Sequence, residues 1–348
     1  MEIRIIKGPL SDIQLEDIAA LYGMVDAKYK DPNYCRYLFN ANPFGFSIHA
    51  FAHSEEQAVG HISLIPMQIH TPAGRKLSYK AEAFYLMEEY RKDWITWEDD
   101  ELPLGLALPK ALYASVTALD TAVIHLLADE EIGKIHQFAG CKQVPIEARE
   151  SFLMLDPTVY LDRESSTLKR LMIHGVHCYQ TVVNRLLFRP NTQAVKLSNS
   201  LPDEMLPTSP ESTDGWTIDT GHDFSRWLLD SPYIRVFSTA EQSFCVVKLC
   251  EYPGRTTEIL CYSSSAGSPA QTAAIIGKIV QEARSRQASS VIFRTFGSEK
   301  SSEELRTTLV KAGFLSKSTR LYSYLRAEDG YFLEPQSLRY SPYFYSQF

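Results

Sequence analysis

Two side chains of this 348-residue chain combine proton-transfer chemistry with a distinctive setting. Glu82 stands between Ala81 and Ala83 in an apolar stretch, and apolar surroundings make a carboxylate a stronger base. His136 lies in a short helical pattern, and an imidazole can donate or relay a proton near neutral pH. Each residue has an ordinary alternative. Glu82 fits a solvated, outward position of an alternating strand, and His136 fits the surface of a helix.

Other reactive residue types are too scattered to form a recognisable site. The six cysteines form no CxxC pair and lack zinc-ligand spacing, which is typical of reduced thiols inside a cell. His174 and His177 are three apart in a helical pattern, but no carboxylate completes a metal site there. The Gly-x-Ser-x-Gly motif of serine hydrolases is missing from the sequence. We therefore expect no metal.

Composition indicates a globular protein without affinity for nucleic acid. The residues are 45% hydrophobic and 22% charged, an ordinary globular balance. The formal net charge is −7 and no Lys/Arg-rich run occurs, whereas a nucleic-acid binder normally shows a basic stripe. A local basic patch for a small phosphorylated molecule is still compatible with this composition. No stretch approaches the roughly 18 apolar residues of a membrane span, and the N-terminus lacks a signal-peptide pattern. These features predict a cytoplasmic protein with neither nucleic-acid nor membrane partners.

Hydrophobic periodicity predicts the same order of elements twice along the chain. That order is helix, three strands, helix, strand, helix, strand. The first copy is expected after a strand at 2–7, with helices at 14–27, 104–118 and 130–139 and strands at 46–52, 58–66, 76–87, 120–128 and 151–155. The second is expected as helices at 224–229, 269–286 and 303–312 and strands at 234–239, 244–251, 257–263, 290–296 and 320–325.

The repeat predicts an α/β protein of two domains. A first domain is expected over 1–155 and a second over 215–330, because 348 residues exceed what one core usually serves. Residues 156–214 are expected as a connecting helix and a polar linker, and the Tyr- and Phe-rich tail 331–348 as an arm packed on the body. Residues 92–103, with two tryptophans followed by a run of four acids, are expected as a surface loop or lid.

The order of elements resembles the GCN5-related N-acetyltransferase (GNAT) fold, over residues 1–155 and again over 215–326. The resemblance implies two GNAT-like modules, each a mostly antiparallel mixed sheet flanked by helices. Short segments carry it: residues 58–66 look like the family's third strand, Gly313-Phe314 and Gly140-Cys141 like its Gly-Phe pair, and residues 34–43 and 224–233 like the opening of tandem GNAT proteins from polysaccharide and natural-product loci.

The family's cofactor motif, Arg/Gln-x-x-Gly-x-Gly/Ala, has one partial match. Glycine lets the backbone approach the pyrophosphate, and helix N-terminal amides bind it. In Leu102–Ala107 the small residues fit, but Leu102 replaces the arginine. An ordinary helix start is the alternative. The resemblance implies that acetyl-CoA or another acyl-CoA is held by Leu104, Gly105, Leu106 and Ala107, with Arg91 or Lys110 nearby.

The resemblance also implies roles for the two proton-transfer candidates. Acyl transfer to an amine requires a base for the attacking ammonium and an acid for the leaving thiolate. Glu82 on the fourth strand takes the place of the base, and His136, four residues before Gly140, that of the acid. The matching residue before Gly313 is Leu309, whose side chain has no titratable proton to donate. The first module is therefore expected to be the catalytic one, and the second degenerate.

Three functions follow from these observations. The leading one is an acyl-CoA-dependent N-acyltransferase, with acetyl favoured, acting on an amino group of a small biosynthetic intermediate. The alternative is a degenerate GNAT-like protein that binds a ligand without catalysis, which Leu102 favours. A third is aminoacyl transfer from charged tRNA, which the acidic net charge disfavours. The acceptor and the oligomeric state are left open.

Overall fold

The computed structural model describes residues 1–326 and 338–339, except 24–25, 72–73, 118–121, 128–129, 163, 203, 205, 207–215, 220, 242, 251–257, 265–266 and 297–299. In the polar part of the expected linker, residues 203, 205 and 207–214 lie outside the described residues, as does almost all of the expected tail 331–348. Within the described residues, no helix has the length and apolar character needed to cross a membrane.

Helices and strands are interspersed along the described chain, as expected for an α/β protein. The helices are α1 Asp12–Tyr22, α2 Pro32–Asn40, α3 Leu104–Thr117, α4 Glu130–Phe138, α5 Thr158–Leu161, α6 Thr167–Val182, α7 His222–Leu229, α8 Pro269–Ser285 and α9 Lys300–Lys311. The strands are β1 Glu2–Lys7, β2 Ile48–Ser54, β3 Gln57–Thr71, β4 Gly74–Leu86, β5 Trp94–Trp97, β6 Asp100–Pro103, β7 Ala122–Leu127, β8 Lys142–Met154, β9 Lys196–Ser198, β10 Trp216–Ile218, β11 Ile234–Ser238, β12 Phe244–Cys250, β13 Glu258–Ser264, β14 Ser290–Phe296, β15 Leu315–Arg326 and β16 Leu338–Arg339.

The chain divides into two compact units. Unit 1 comprises Met1–Ile146, Pro207–Trp227 and Arg320–Phe348. Its strands are ordered β1-β2-β3-β4-β7-β15, and along this order the β4–β7 pair is parallel and the others are antiparallel. One face of this sheet packs against α3 through a core that includes Ile62, Leu64 and Leu108. The other face carries the side chains that contact α1 and α2.

Unit 2 comprises Glu147–Leu206 and Leu228–Thr319. Its strands are ordered β8-β14-β13-β12-β11-β9, and again one pair, β13–β14, is parallel. Helices α8 and α9 pack with the sheet around a core that includes Ile279, Val291 and Phe314. Both units therefore confirm the expected class, a mostly antiparallel mixed sheet flanked by helices.

Two matching helix ends support the repeat. Gly140 after α4 and Gly313 after α9 have φ of 91° and 88°, values that glycine adopts without strain. In both turns the next residue's N–H bonds to the carbonyl five residues earlier, Cys141 to His136 at 2.9 Å and Phe314 to Leu309 at 3.0 Å. His136 and Leu309 thus occupy equivalent backbone positions in these two turns, as expected from the sequence.

Several elements differ from the sequence-based expectations, and α2, for example, is not among the predicted helices. Residues 92–103 form the β5–β6 hairpin instead of a loop, since Trp94–Trp97 pairs with Asp100–Pro103. Strand β8 begins at Lys142, well before the expected start at 151. The division into domains at 155 and 215 stays a prediction. Within unit 1, Tyr322–Arg326 of β15 pairs with β7, and within unit 2, Ala148–Met154 of β8 pairs with β14.

Candidate functional site

The parallel strands β4 and β7 pair over a short distance and then separate. Their register pairs are Ser78 with Ala122 through Lys80 with Ile124. Beyond Lys80, β4 continues to Leu86 and β7 to Leu127, with no further pair between them among the described residues. Backbone donors and acceptors beyond this point face a gap between the strands, which we call the β4–β7 gap, and such groups require partners.

A β-bulge lies in β4 beside the β4–β7 gap. Ser63 is opposite Glu82 and His61 is opposite Tyr85, so two residues of β4 face one residue of β3. Ala83 at the bulge has φ of 54°, a left-handed conformation that costs a non-glycine residue roughly 1–2 kcal/mol. Because of the extra residue, Glu82 and Tyr85 project from the same face, although they are three positions apart.

Glu82 lies at the bulge with one carboxylate oxygen paired and one open. It is 4% exposed, and its Oε2 is 2.8 Å from Nζ of Lys80, two residues earlier on the same face. Its Oε1 has no hydrogen-bond partner among the described residues. Burial lowers the pKa of Lys80, and the charge of Glu82 opposes this effect. A buried oxygen without a partner is uncommon in a folded protein, and it can accept a proton or a ligand N–H.

Tyrosines surround this carboxylate on the α1 and α2 side. The Tyr22 ring is 5.6 Å from that of Tyr85 and 4.8 Å from that of Tyr29. Burial raises the pKa of Tyr22 well above its usual value, and the charge of Glu82 raises it further. The Tyr22 phenol therefore stays neutral at physiological pH. Lys28, also buried, is paired with Asp26 at 3.1 Å.

A histidine pair lies on the same face of the sheet. His49 Nδ1 and His61 Nε2 are 2.9 Å apart, and both side chains are fully buried. Burial lowers the pKa of His61 to about 3, against a smaller opposing effect of the Ala83 backbone. Burial also lowers the pKa of His49, and the charge of His61 adds to that shift. Both rings are therefore neutral and extend the polar interior beside Tyr22.

The start of α3 has features that suit an anion. Pro103 precedes the helix and has no side-chain acceptor for its first-turn amides, although the Leu104 N–H donates to the Asp93 carbonyl at 2.8 Å. Leu104 and Ala107 are buried, while Gly105 and Leu106 are partly exposed. A Cβ atom at Gly105 would meet only Leu86 Cδ2, at 3.6 Å. The backbone is thus accessible at the position where the resemblance expects pyrophosphate.

The two expected cations differ in their availability. Lys110 Nζ is 2.7 Å from Asp100 Oδ2, on the β5–β6 hairpin. Arg91 is exposed, and its Nε donates to the Leu86 carbonyl at 3.3 Å. A phosphate would therefore compete with Asp100 for Lys110, whereas the terminal guanidinium nitrogens of Arg91 make no bond within the described part of the chain.

His136 lies on the other side of the sheet from Glu82. It is fully buried, and its Nδ1 is 2.5 Å from the Tyr113 hydroxyl. Tyr113 belongs to α3 and to the core on the α3 face, whereas Glu82 projects from the opposite face. The structure therefore does not bring the two proposed catalytic residues into contact. The matching residue of unit 2, Leu309, is fully buried in the core.

Unit 2 closes its corresponding helix start with its own side chains. Ser268 Oγ accepts from the Gln271 N–H at 3.3 Å, and Gln271 Oε1 accepts from the Ser268 N–H and the Ser243 hydroxyl, both at 2.8 Å. A Cβ atom at Gly267 would lie 2.0 Å from Ser243 Oγ. This capping box satisfies donors that Pro103 leaves open in unit 1, as the expectation of a degenerate second module requires.

Sequence reasoning missed Lys80, Tyr22, Tyr85 and the His49–His61 pair. A usable signal existed for Lys80, because residues two apart on a strand share a face. Tyr85 gave no such signal, since it shares the face of Glu82 only through the bulge. His61 had no evident partner in the sequence, because its partner is set by the β2–β3 pairing.

Structural comparison gives the fold. A tandem GNAT protein from the clavulanic acid biosynthesis pathway matches with a TM-score of 0.55 and 12% identity, over 94% of this chain and 98% of the other. Saccharomyces cerevisiae N-myristoyltransferase with bound myristoyl-CoA matches with 0.58 and 12%, over 93% and 79%. A putative acetyltransferase from Pyrococcus horikoshii matches with 0.52 and 10%, over 94% and 90%.

No profile of a known family matches the sequence, and no curated protein is significantly similar to it in sequence. The structural matches establish that the chain has a GNAT-like fold.

Proposed function

We propose that unit 1 is an acyl-CoA-dependent N-acyltransferase that transfers an acetyl group to an amine of a small molecule. One observation carries the proposal: the pairing of β4 with β7 ends at Lys80, two residues before Glu82, and the strained bulge at Ala83 lies beside the gap that opens there. The uncapped start of α3 adds a site for phosphate in the same unit. The free cysteines, including exposed Cys178, favour the reducing cytoplasm as its compartment.

The residues around the gap fit acyl-CoA, which supplies an activated thioester carbonyl when bound. The amides of Gly105, Leu106 and Ala107 would hold its pyrophosphate, whereas the Leu104 N–H, which the sequence also suggested, already donates to the Asp93 carbonyl. Arg91 would add charge, and Lys110 would do so by leaving Asp100. Open backbone groups of β4 and β7 would pair with the amides of the pantetheine arm, as an added strand pairs with a sheet edge.

Glu82 is the proposed base. Its open Oε1 can accept a proton from the acceptor's ammonium, and the lone pair freed on nitrogen then attacks the thioester carbon. The carbon–sulfur bond breaks, the sulfur leaves as thiolate, and the nitrogen releases its second proton to water to give the neutral amide. Lys80 holds the other carboxylate oxygen at 2.8 Å and thereby fixes the orientation of Glu82. Tyr22 and Tyr85 form an aromatic wall for a cationic or polar acceptor.

His136 is the proposed acid for the departing thiolate. Its position four residues before Gly140 and its bond to the Tyr113 hydroxyl support a role in proton donation from the α3 face. The two groups would then act from opposite sides of the β4–β7 gap. This assignment rests on position more than on contact, so the two residues are tested separately.

The alternative is a ligand-binding protein without turnover. Leu102 in place of an arginine and the Lys110–Asp100 pair both favour it, because each weakens attraction for pyrophosphate. Release of free thiol from acetyl-CoA in the presence of an amine separates the two functions.

The test is a thiol-release assay with acetyl-CoA and a panel of amino sugars and amino acids. We expect Glu82→Gln to slow transfer by roughly 10²–10⁴-fold while leaving the affinity for coenzyme A unchanged. His136→Phe should slow it as well, and Leu309→Ala in unit 2 should alter stability more than rate. If Glu82→Gln and His136→Phe both retain activity within about threefold of wild type, these residues do not carry out the chemistry.

A further inference from the structure

A basic pocket in unit 2 has no role in the proposed reaction. It has a volume of about 370 Å³ and lies between α8 and the π-helical turn Val183–Leu187 that follows α6. Three arginines line it, Arg185, Arg189 and Arg284. We call it the arginine pocket.

The three arginines have no acidic partner in the part of the chain that the structure describes. Arg185 and Arg189 are exposed and Arg284 is half-buried. The nearest acid in sequence, Glu282 on α8, is held by Arg286 at 2.7 Å. The pocket therefore concentrates positive charge that no carboxylate of the described chain compensates.

Arg284 is held in place by a fixed amide. Its Nη2 donates to Asn184 Oδ1 at 2.7 Å, and Asn184 Nδ2 donates to the Ala312 carbonyl at 2.8 Å. Asn184 is buried, so this chain of bonds sets the plane of the guanidinium. Burial lowers the pKa of Arg284, and the charge of Arg185 lowers it further. An anion between Arg185 and Arg284 would raise the pKa of Arg284 again, because it would offset both the burial of its charge and the repulsion by Arg185.

One wall of the arginine pocket forms where residues 190–192 pack closely against α8 at Gly277. A Cβ atom at Gly277 would lie 2.5 Å from Pro190 Cγ and 2.9 Å from Thr192 Cγ2, so only glycine lets this segment approach α8. The π-helical turn that carries Arg185 is a rare backbone form found mostly at functional sites. Thr192 and Gln281 add a hydroxyl and an amide to the lining.

We propose that the arginine pocket binds the phosphate group of a small phosphorylated molecule. Guanidinium groups bind phosphate oxygens through paired, charge-assisted hydrogen bonds. The three arginines supply enough positive charge and N–H donors for a phosphate dianion. A volume of about 370 Å³ also leaves room for a small organic body. The proposal is independent of the acyltransferase proposal, because every lining residue belongs to unit 2.

Isothermal titration with glucose 6-phosphate, inorganic phosphate, glucose and succinate tests this site on the full chain. We expect saturable binding of glucose 6-phosphate, at least tenfold weaker in Arg284→Gln and within twofold of wild type in Arg286→Gln. Arg286 is the matched control, since it lies on the same helix end but pairs with Glu282. Equal binding of inorganic phosphate would identify free phosphate as the source of the recognised group.

Thermal unfolding without ligand provides the second readout. Arg284→Gln should unfold at the same temperature as wild type or higher, because it removes an uncompensated charge. The proposal is overturned if neither phosphate compound binds, if succinate binds as tightly, or if Arg284→Gln and Arg286→Gln weaken binding equally.

Discussion

The Lys80–Glu82 pair is the feature of single residues on which the proposed site depends most. Both side chains are almost fully buried and 2.8 Å apart. Removal of one partner from a buried ion pair leaves a charge that water cannot reach, whereas removal of both can be nearly neutral. The pair thus holds the carboxylate in one orientation, although the burial of two charges costs free energy of folding.

We predict that Lys80→Met and Glu82→Met each lower the free energy of unfolding by roughly 3–5 kcal/mol. The double variant should be less destabilised than either single variant, because no unpaired charge remains. Urea unfolding of the three variants and wild type measures the coupling. Additive losses in the double variant would show that the two groups do not interact.

The His49–His61 pair predicts a loss of stability in acid. The pKa of His61 is about 3 in the folded protein, against 6.5 as its ordinary value. The folded state therefore binds fewer protons than the unfolded state, so this contribution is fully present above pH 6.5 and is lost as pH falls toward 3. The loss is at most about 1.4 kcal/mol per pH unit from this group.

His61→Phe keeps an aromatic ring beside Phe51 and removes this titration. Its free energy of unfolding should therefore fall less steeply than that of wild type between pH 6.5 and 4.5, as measured by urea unfolding at several pH values. Parallel curves for the two proteins would mean that His61 is not held neutral in the folded state.

At the level of elements, the bulge in β4 decides which residues share the site. Regular alternation would put Glu82 and Phe84 on one face, but Phe84 packs with the core on the α3 side. The left-handed φ of Ala83 makes this switch. Strain of this kind is retained where the surrounding structure or a function requires it.

Variants of Ala83 and Ala81 test whether the strain is real. Both are buried alanines of β4, but only Ala83 has a positive φ. We predict that Ala83→Gly lowers the free energy of unfolding less than Ala81→Gly, since glycine relieves the strain while both variants lose a methyl group. Ala83→Val should lower it by more than about 1 kcal/mol. Equal losses in the two glycine variants, with Ala83→Val tolerated, would contradict a left-handed Ala83.

Local patterns predicted most elements but not their irregularities. The strands around residues 46–66 and the helix after Pro103 follow from periodicity and turn residues. The bulge at Ala83 does not, because alanine gives no signal for a positive φ. The β5–β6 hairpin was also missed, since its two tryptophans and four acids suit an exposed loop equally well.

At the level of the whole molecule, the repeat of elements was predictable, whereas strand partners were not. The matching turns at Gly140 and Gly313 appear in the sequence as glycines after helices. By contrast, the pairing of Tyr322–Arg326 with β7, and of Ala148–Met154 with β14, depends on contacts far apart in sequence. For the site, the sequence indicated Glu82 and Gly105, but Tyr22 and Lys80 required the fold.

The two units also differ in a way that predicts binding stoichiometry. Side chains of Ser268, Gln271 and Ser243 fill the start of α8 in unit 2, whereas Pro103 leaves the start of α3 without a side-chain cap. Only unit 1 should therefore bind the pyrophosphate of coenzyme A. Gly105 is accessible there, and a side chain at this position would meet no backbone.

Calorimetric titration of the full chain with coenzyme A tests this most directly, with Gly105→Asp and Gly175→Asp as matched variants. Gly175 is a helical glycine of α6 with open space around its Cβ position, so it controls for the added charge and for the loss of a glycine. We predict one molecule bound per chain, binding weakened at least tenfold, or about 1.4 kcal/mol, in Gly105→Asp, and unchanged binding in Gly175→Asp. Absence of binding to wild type, or equal affinity in wild type and Gly105→Asp, would contradict the assignment of unit 1 as an acyl-CoA site.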